Sequence, residues 1–88
     1  MTGADGGRPD DVVRVDARGL RCPLPVIRLA AAARDLVPGT LVEVLWTDPA
    51  ARNDVPAWAR MRGHAVEEPE PGGPPGATRV RLGGPTAD

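Results

Sequence analysis

The sequence predicts an α/β (α+β) two-layer sandwich: a βαβαββ order, with a mixed four-stranded sheet and two helices on one face. Three observations carry that expectation. Short segments alternate apolar and polar residues, as half-buried strands do. Two longer segments between them space their apolar residues as a helix does. Pro-Gly, Asp-Pro and Gly-rich breaks separate the segments.

Val12 to Asp16 reads as the first strand, with Val13 and Val15 on one side and Arg14 and Asp16 on the other. Gly19 permits a turn, and a helix follows from Pro23 to about Leu36. Its stripe is Val26, Leu29, Ala30 and Ala33, with Arg28 and Arg34 outside it. Pro38-Gly39 stops this helix. Thr40 to Trp46 reads as the second strand, with Val42, Val44 and Trp46 on one face and Leu41, Glu43 and Leu45 on the other. A helix between two strands implies a parallel βαβ crossover.

Asp48 is able to cap a second helix with Pro49 at its first position, but Pro56 interrupts that frame. Asp54 as cap, with Pro56 in the first turn, is the better expectation. The helix closes near Gly63. His64 to Glu68 and Ala77 to Leu82 are the third and fourth strands, joined across the proline- and glycine-rich segment 67–76, which reads as a mobile loop. In the last strand Val80 and Leu82 point inward and Arg79 and Arg81 outward. The other sheet face then carries Arg14, Asp16, Leu41, Glu43, Leu45, Arg79 and Arg81, a mixture expected to be mostly solvated, with Leu41 and Leu45 as a contact patch.

Eighty-eight residues make one small domain. The expected organisation is a disordered start over 1–11, a domain over 12–82 and a disordered tail over 83–88. With no Phe or Tyr and two Trp, the core must come from Val, Leu and Ala. The net charge of −1 gives no electrostatic drive toward nucleic acid, so direct nucleic-acid binding is not expected. No apolar run reaches membrane-spanning length, so no direct membrane contact is expected. The start lacks the pattern of a signal peptide, and a lone thiol suits a reducing compartment, so the expected location is cytoplasmic. One Cys and one His cannot build a four-ligand zinc site, and no motif calls for a metal or cofactor.

The candidate chemistry lies in Arg18-Gly19-Leu20-Arg21-Cys22-Pro23-Leu24-Pro25. Pro23 disfavours the helical conformation for Cys22, which makes Cys22 the expected N-cap. Pro23 and Pro25 then occupy the first and third helical positions, where no helical hydrogen bond is lost. Leu24 N–H is left as the nearby capping donor to the sulfur. The helix dipole, Arg21 beside the cysteine and Arg18 on the same side all favour thiolate. Asp48 and Asp54 read as helix caps, His64 as structural, and Trp46 and Trp58 as core anchors.

The run Asp16-Ala17-Arg18-Gly19-Leu20-Arg21-Cys22-Pro23-Leu24-Pro25 resembles the signature of the TusA/SirA-like sulfur-carrier family. Pro38-Gly39, Asp48-Pro49, Asp54-Val55-Pro56-Ala57-Trp58 and Gly63-His64 agree with it, so the resemblance spans about residues 12–82. It implies a βαβαββ sandwich in which Cys22 accepts sulfane sulfur as a persulfide and passes it on. It implies as donor a cysteine desulfurase or a rhodanese-type protein. The acceptors it implies are downstream sulfur-acceptor proteins, including relays serving tRNA thiolation. Many relatives carry a second cysteine where this chain has Ala59, so an internal disulfide cycle is closed to it. Two other readings compete: a regulatory or adaptor module of the same fold without sulfur transfer, and an RNA-binding domain, against which the acidic balance and the scarcity of aromatics both count.

Overall fold

The computed structural model describes residues 12–68, 72–73 and 75–83. The order is β1 (Val12–Ala17), α1 (Leu24–Ala33), β2 (Leu41–Trp46), α2 (Ala51–Met61), β3 (Ala65–Glu67) and β4 (Ala77–Arg81). This is the expected βαβαββ order. The four strands form one mixed sheet in the spatial order β1-β2-β4-β3. β1 runs parallel to β2, and β4 runs antiparallel to both β2 and β3. α1 packs on β1 and β2, α2 packs on β3 and β4, and the helices touch each other. No described helix is long and apolar enough to cross a membrane.

The core lies between the sheet and the helices. Val15, Ala17, Val42, Val44, Trp46, Val80 and Leu82 supply the sheet side, and Leu29, Ala51, Val55 and Ala59 the helix side. Small helix residues let the helices approach the sheet closely, so a chain poor in aromatics still fills its interior. Trp46 is the one large core side chain from the sheet. Its indole N–H donates to Thr78 Oγ1 at 2.9 Å, which satisfies a polar group that burial would otherwise strand.

The opposite sheet face corrects the expectation of a mostly solvated surface. Leu41 and Glu43 are buried there, Glu43 with its side chain only 1% exposed. Register explains this. Arg14, Glu43, Arg79 and Glu67 stand opposite one another across β1, β2, β4 and β3, so charge alternates across the sheet. Arg14 Nε reaches Glu43 Oε1 at 2.8 Å, and Arg79 Nε reaches Oε2 at 3.3 Å. Arg81 Nε and Nη2 hold both Glu67 oxygens at 2.9 and 3.2 Å, and its Nη1 donates to the Gly39 carbonyl at 3.0 Å. Long arginine stems laid over a central strand exclude water from it while their charged ends stay paired.

The strands shift by at most one residue at either end, and the helix boundaries shift in three places. α1 begins at Leu24 with Pro23 as N-cap, one residue later than expected, and Pro25 falls within the first turn, fully buried. Its last turn tightens: Asp35 N–H donates to Ala32 O and Leu36 N–H to Ala33 O, so the chain coils on to Leu36 after the regular helix has ended. α2 starts well before Asp54. Asp48 Oδ1 accepts the Ala50 N–H at 3.0 Å and Asp48 O accepts the Ala51 N–H at 2.9 Å, so Asp48-Pro49 opens the helix and Pro56 lies inside it. Asp54 is therefore a first-turn residue, not the cap.

The close of α2 is as expected. Gly63 takes a positive φ of 81°, and His64 N–H reaches back to Ala59 O at 2.8 Å. His64 Nδ1 in turn accepts the N–H of Gly83, the residue expected to begin the tail, at 3.0 Å. The imidazole also packs on the half-buried Trp58, ring centroids 5.0 Å apart. Burial, with Arg62 nearby, pushes the His64 pKa down and keeps the ring a neutral acceptor. The expected disordered start over 1–11, the rest of the tail and part of the proline-rich segment lie outside the described residues.

Candidate functional site

Parallel pairing of β1 and β2 decides where Cys22 sits. The two strands end in register, Ala17 beside Trp46, so the segments that leave them emerge side by side at the same end of the sheet. The first segment runs through Gly19 to Pro23, the second through Thr47 to Ala50. They are stitched together twice. Gly19 N–H donates to Thr47 Oγ1 at 2.9 Å, and Cys22 N–H donates to Asp48 Oδ2 at 3.0 Å. Both helices begin at this end.

Cys22 is a free, half-buried thiol packed against the core, and its bond to Pro23 is cis. The sulfur's surroundings differ from those expected at a helix start. Leu24 N–H, the anticipated donor to the sulfur, bonds instead to Arg21 O at 2.8 Å, because the turn through Cys22-Pro23 brings that carbonyl onto it. Arg18 turns away as well. Its guanidinium forks onto Asp16 at 2.9 and 2.8 Å, and Asp16 Oδ1 also accepts the Arg18 backbone N–H at 3.1 Å. That arrangement holds the Asp16 carboxyl far below the usual carboxylate range. Arg21, adjoining the cysteine, is exposed and acts on Asp48.

What faces the sulfur is acidic. Partial burial pushes the Cys22 pKa up, the nearby Asp54 carboxylate pushes it further, and the charge of Asp48 adds to both. This direction is opposite to the thiolate-favouring surroundings expected from the helix start. Withdrawal from water and two nearby carboxylates oppose ionisation, and the local donor and cations that were to favour it are engaged elsewhere. Asp48 itself is held below its ordinary range by the N–H groups of Cys22 and Ala50.

Sequence reasoning thus placed the nucleophile candidate but read Asp48 and Asp54 only as caps. A usable signal existed in the chain. A parallel βαβ crossover sets the end of β1 beside the end of β2, so acidic residues just after β2 are candidates for the surroundings of a cysteine just after β1. Pro23, Leu24 and Pro25 form the rim and base of the site. Pro23 and Leu24 are exposed, while Pro25 is anchored in the interior. Among the described residues, no three His, Cys, Asp or Glu side chains gather in a way that would hold a metal ion.

A groove between α1 and the outer edge of β1 is lined by Leu20, Leu24, Ile27 and Ala31, with Arg14, Asp16 and Arg28 along it. Leu24 and Ile27 are 47% and 55% exposed.

A family model described as Sulfurtransferase TusA matches residues 13–82. The sulfur carrier protein TusA of Pseudomonas paraeruginosa is 46% identical over 60 residues, which cover 68% of this chain and 75% of that protein. The sulfur carrier protein TusA of Pseudomonas aeruginosa is 47% identical over 54 residues, 61% of this chain and 68% of that one. The putative sulfur carrier protein YrkI of Bacillus subtilis is 43% identical over 54 residues, 61% of this chain and 72% of that one.

Proposed function

From the premise that this chain belongs to the TusA sulfurtransferase family, we propose that it is a sulfur carrier that accepts sulfane sulfur as a persulfide on Cys22 and relays it to an acceptor protein. The observation that carries the reading is the family match over 13–82, which includes a free, partly accessible thiol in the Cys-Pro-Leu-Pro turn. Cys22 Sγ attacks the outer sulfur of a donor persulfide, and the donor's own cysteine sulfur leaves. An acceptor thiol then attacks the outer sulfur of the Cys22 persulfide and frees Cys22. The donor is a persulfide-bearing protein such as a cysteine desulfurase or a rhodanese-type protein.

The surroundings of Cys22 suit a relay. The motif prolines fix the backbone on the helix side of the sulfur, with Pro25 buried as the anchor. Leu24 offers an apolar contact at the rim, where a docking partner would exclude water. Arg21 balances the Asp48 charge, and Arg18 braces the turn through Asp16. With Ala59 buried in the core and no other cysteine in the chain, sulfur leaves only to another molecule or to a reductant.

The test is intact-mass spectrometry after incubation with a cysteine desulfurase and cysteine. The chain should gain the mass of one sulfur atom and lose it on treatment with a thiol reductant. No gain with either a desulfurase or a small-molecule persulfide, or an equal gain in Cys22→Ala, would overturn the assignment.

A further inference from the structure

β1 is one of the two edge strands of the sheet, and it is the unguarded one. The other edge, β3, has three residues, which leaves little to pair with. β1 has six, Val12–Ala17, with no proline, in unbroken register with β2. No other described strand pairs with its outer side. Its outward N–H and C=O groups therefore form a template for another strand.

The margin beside that edge is apolar. Leu20, Leu24, Ile27 and Ala31 line the groove, which runs past Val15. Three of the six large hydrophobic residues left exposed among those described, Val12, Leu24 and Ile27, fall along this one margin. Removing such a margin from water favours association.

The charges on the strand select what fits. Arg14 and Asp16 project from the sheet face opposite the helices, with side chains 64% and 58% exposed. A second copy that pairs antiparallel with β1, edge to edge about a two-fold axis, keeps the helices of both copies on one face. Residues opposite each other then share a face, as the pleat requires. In the register centred on Val15, Arg14 stands opposite Asp16 of the second copy, and symmetry makes that pair twice. On the helix face Val15 meets Val15, and Val13 meets Ala17. Centring on Arg14 sets Arg14 against itself. Centring on Asp16 sets Asp16 against itself and Arg14 against Arg18. Like charges directly opposite are destabilising, so one register is favoured over both neighbours.

We infer that the outer edge of β1 is a self-association surface, on which a second copy of this chain pairs antiparallel about Val15 and joins two four-stranded sheets into one. Existing contacts leave room for it. Arg14 uses Nε for Glu43, which leaves its terminal guanidinium N–H groups for a second acceptor. Asp16 accepts Arg18, and a carboxylate has capacity for a further donor. Arg28, whose charge acts on Asp16, lines the same groove. Ile27 shares the groove with Val15, so the axis sets it close to its own copy. Because the paired strands run oppositely, the two Cys22 turns, each beyond Ala17, lie at opposite ends of the shared edge. The inference is independent of the sulfur-carrier reading.

Sedimentation equilibrium of the full chain, from about 1 μM to about 1 mM, tests the surface, with a thiol reductant present to exclude a Cys22 disulfide. The expected result is a reversible monomer–dimer equilibrium. Asp16→Lys sets Lys against Arg14 twice and should raise the dissociation constant by about tenfold or more. Ile27→Lys should do the same from the helix side, by placing two like charges near the axis. Both positions are exposed, and circular dichroism checks that each variant keeps its fold. Met61→Lys on α2, at a residue 78% exposed, should leave the equilibrium unchanged. Isotope-filtered NMR of mixed labelled and unlabelled copies should join Val13 of one copy to Ala17 of the other.

A chain that stays monomeric throughout the range overturns the inference, even where β1 then pairs with a strand of a different protein. So does a dimer that neither variant weakens, and so do contacts between copies in another register or on another face. None of these results bears on persulfide formation at Cys22, which is read by mass.

Discussion

The Asp48 carboxylate binds the Cys22 backbone N–H at 3.0 Å, across 26 residues of sequence. That bond ties the turn after β1 to the turn after β2, and its second oxygen starts α2. The candidate site is thus held at the point where two connections converge. Asp48→Ala should free both. The expected outcome is faster amide hydrogen exchange at Cys22 and Ala50 and a lower melting temperature, with the distal strands β3 and β4 keeping their protection. Unchanged exchange at Cys22 would show that the turn holds without this carboxylate.

The thiol of Cys22 should be slow to ionise. Its pKa is raised by partial burial and by the nearby Asp54 and Asp48 carboxylates, so thiolate should be scarcer at neutral pH than for an unperturbed cysteine of pKa about 8.5. Iodoacetamide labelling of the folded chain as a function of pH should reach half its maximal rate above that value. In denaturant the midpoint should fall back toward it. A folded-state midpoint below the denatured one would contradict the electrostatics described here.

Stability should depend on acid through Glu43. Arg14, aided by Arg79, holds its carboxyl below the usual range against the opposing effect of burial. A depressed folded-state pKa gives stability that is present above the unfolded value, about 4.3, and is lost as pH falls through the folded value. Glu43→Gln should cost about 1–3 kcal/mol at neutral pH, because two guanidinium hydrogen bonds to a buried carboxylate are weakened. It should also flatten the acid limb of a plot of urea-unfolding free energy against pH. An equally steep limb in the variant would assign acid sensitivity to the other carboxylates.

Thr78→Val should destabilise the core despite being nearly isosteric. It removes the acceptor of the Trp46 indole N–H and leaves that donor buried and unpaired, at a cost of about 1–3 kcal/mol. Trp46 fluorescence should report the change as well as the shift in the chemical-denaturation midpoint. A neutral result would mean that water or a shifted side chain replaces the hydroxyl.

Gly76→Ala should be costly at a position with no side chain to lose. Gly76 has a φ of +72°, and its carbonyl accepts the Trp46 N–H at 2.8 Å. An added Cβ would overlap the Trp46 carbonyl oxygen. Backbone conformation and close approach together predict a loss of about 1–3 kcal/mol, read by thermal unfolding. Gly72→Ala is the useful control, since its φ is also positive at +79° but open space surrounds it. The difference between the two melting shifts isolates the clash with β2.

The order of elements, the apolar faces of the strands and α1, and the Cys22-Pro23-Leu24-Pro25 turn were legible in the chain. They depend on local spacing, on proline and glycine stereochemistry, and on a motif that identifies the family. The electrostatics of the sulfur were not legible, because they depend on partners 26 and 32 positions away. Only the parallel pairing of β1 with β2 brings Asp48 and Asp54 to Cys22, and only the cross-strand register seals Glu43 between Arg14 and Arg79. A helix start read alone supplies a positive dipole and a nearby donor. In the folded chain the Leu24 N–H goes to Arg21, Arg18 goes to Asp16, and the groups left facing the thiol are acids. The sequence therefore determined where the thiol lies, while tertiary contacts decided its electrostatic surroundings, because charge acts through space rather than along the chain.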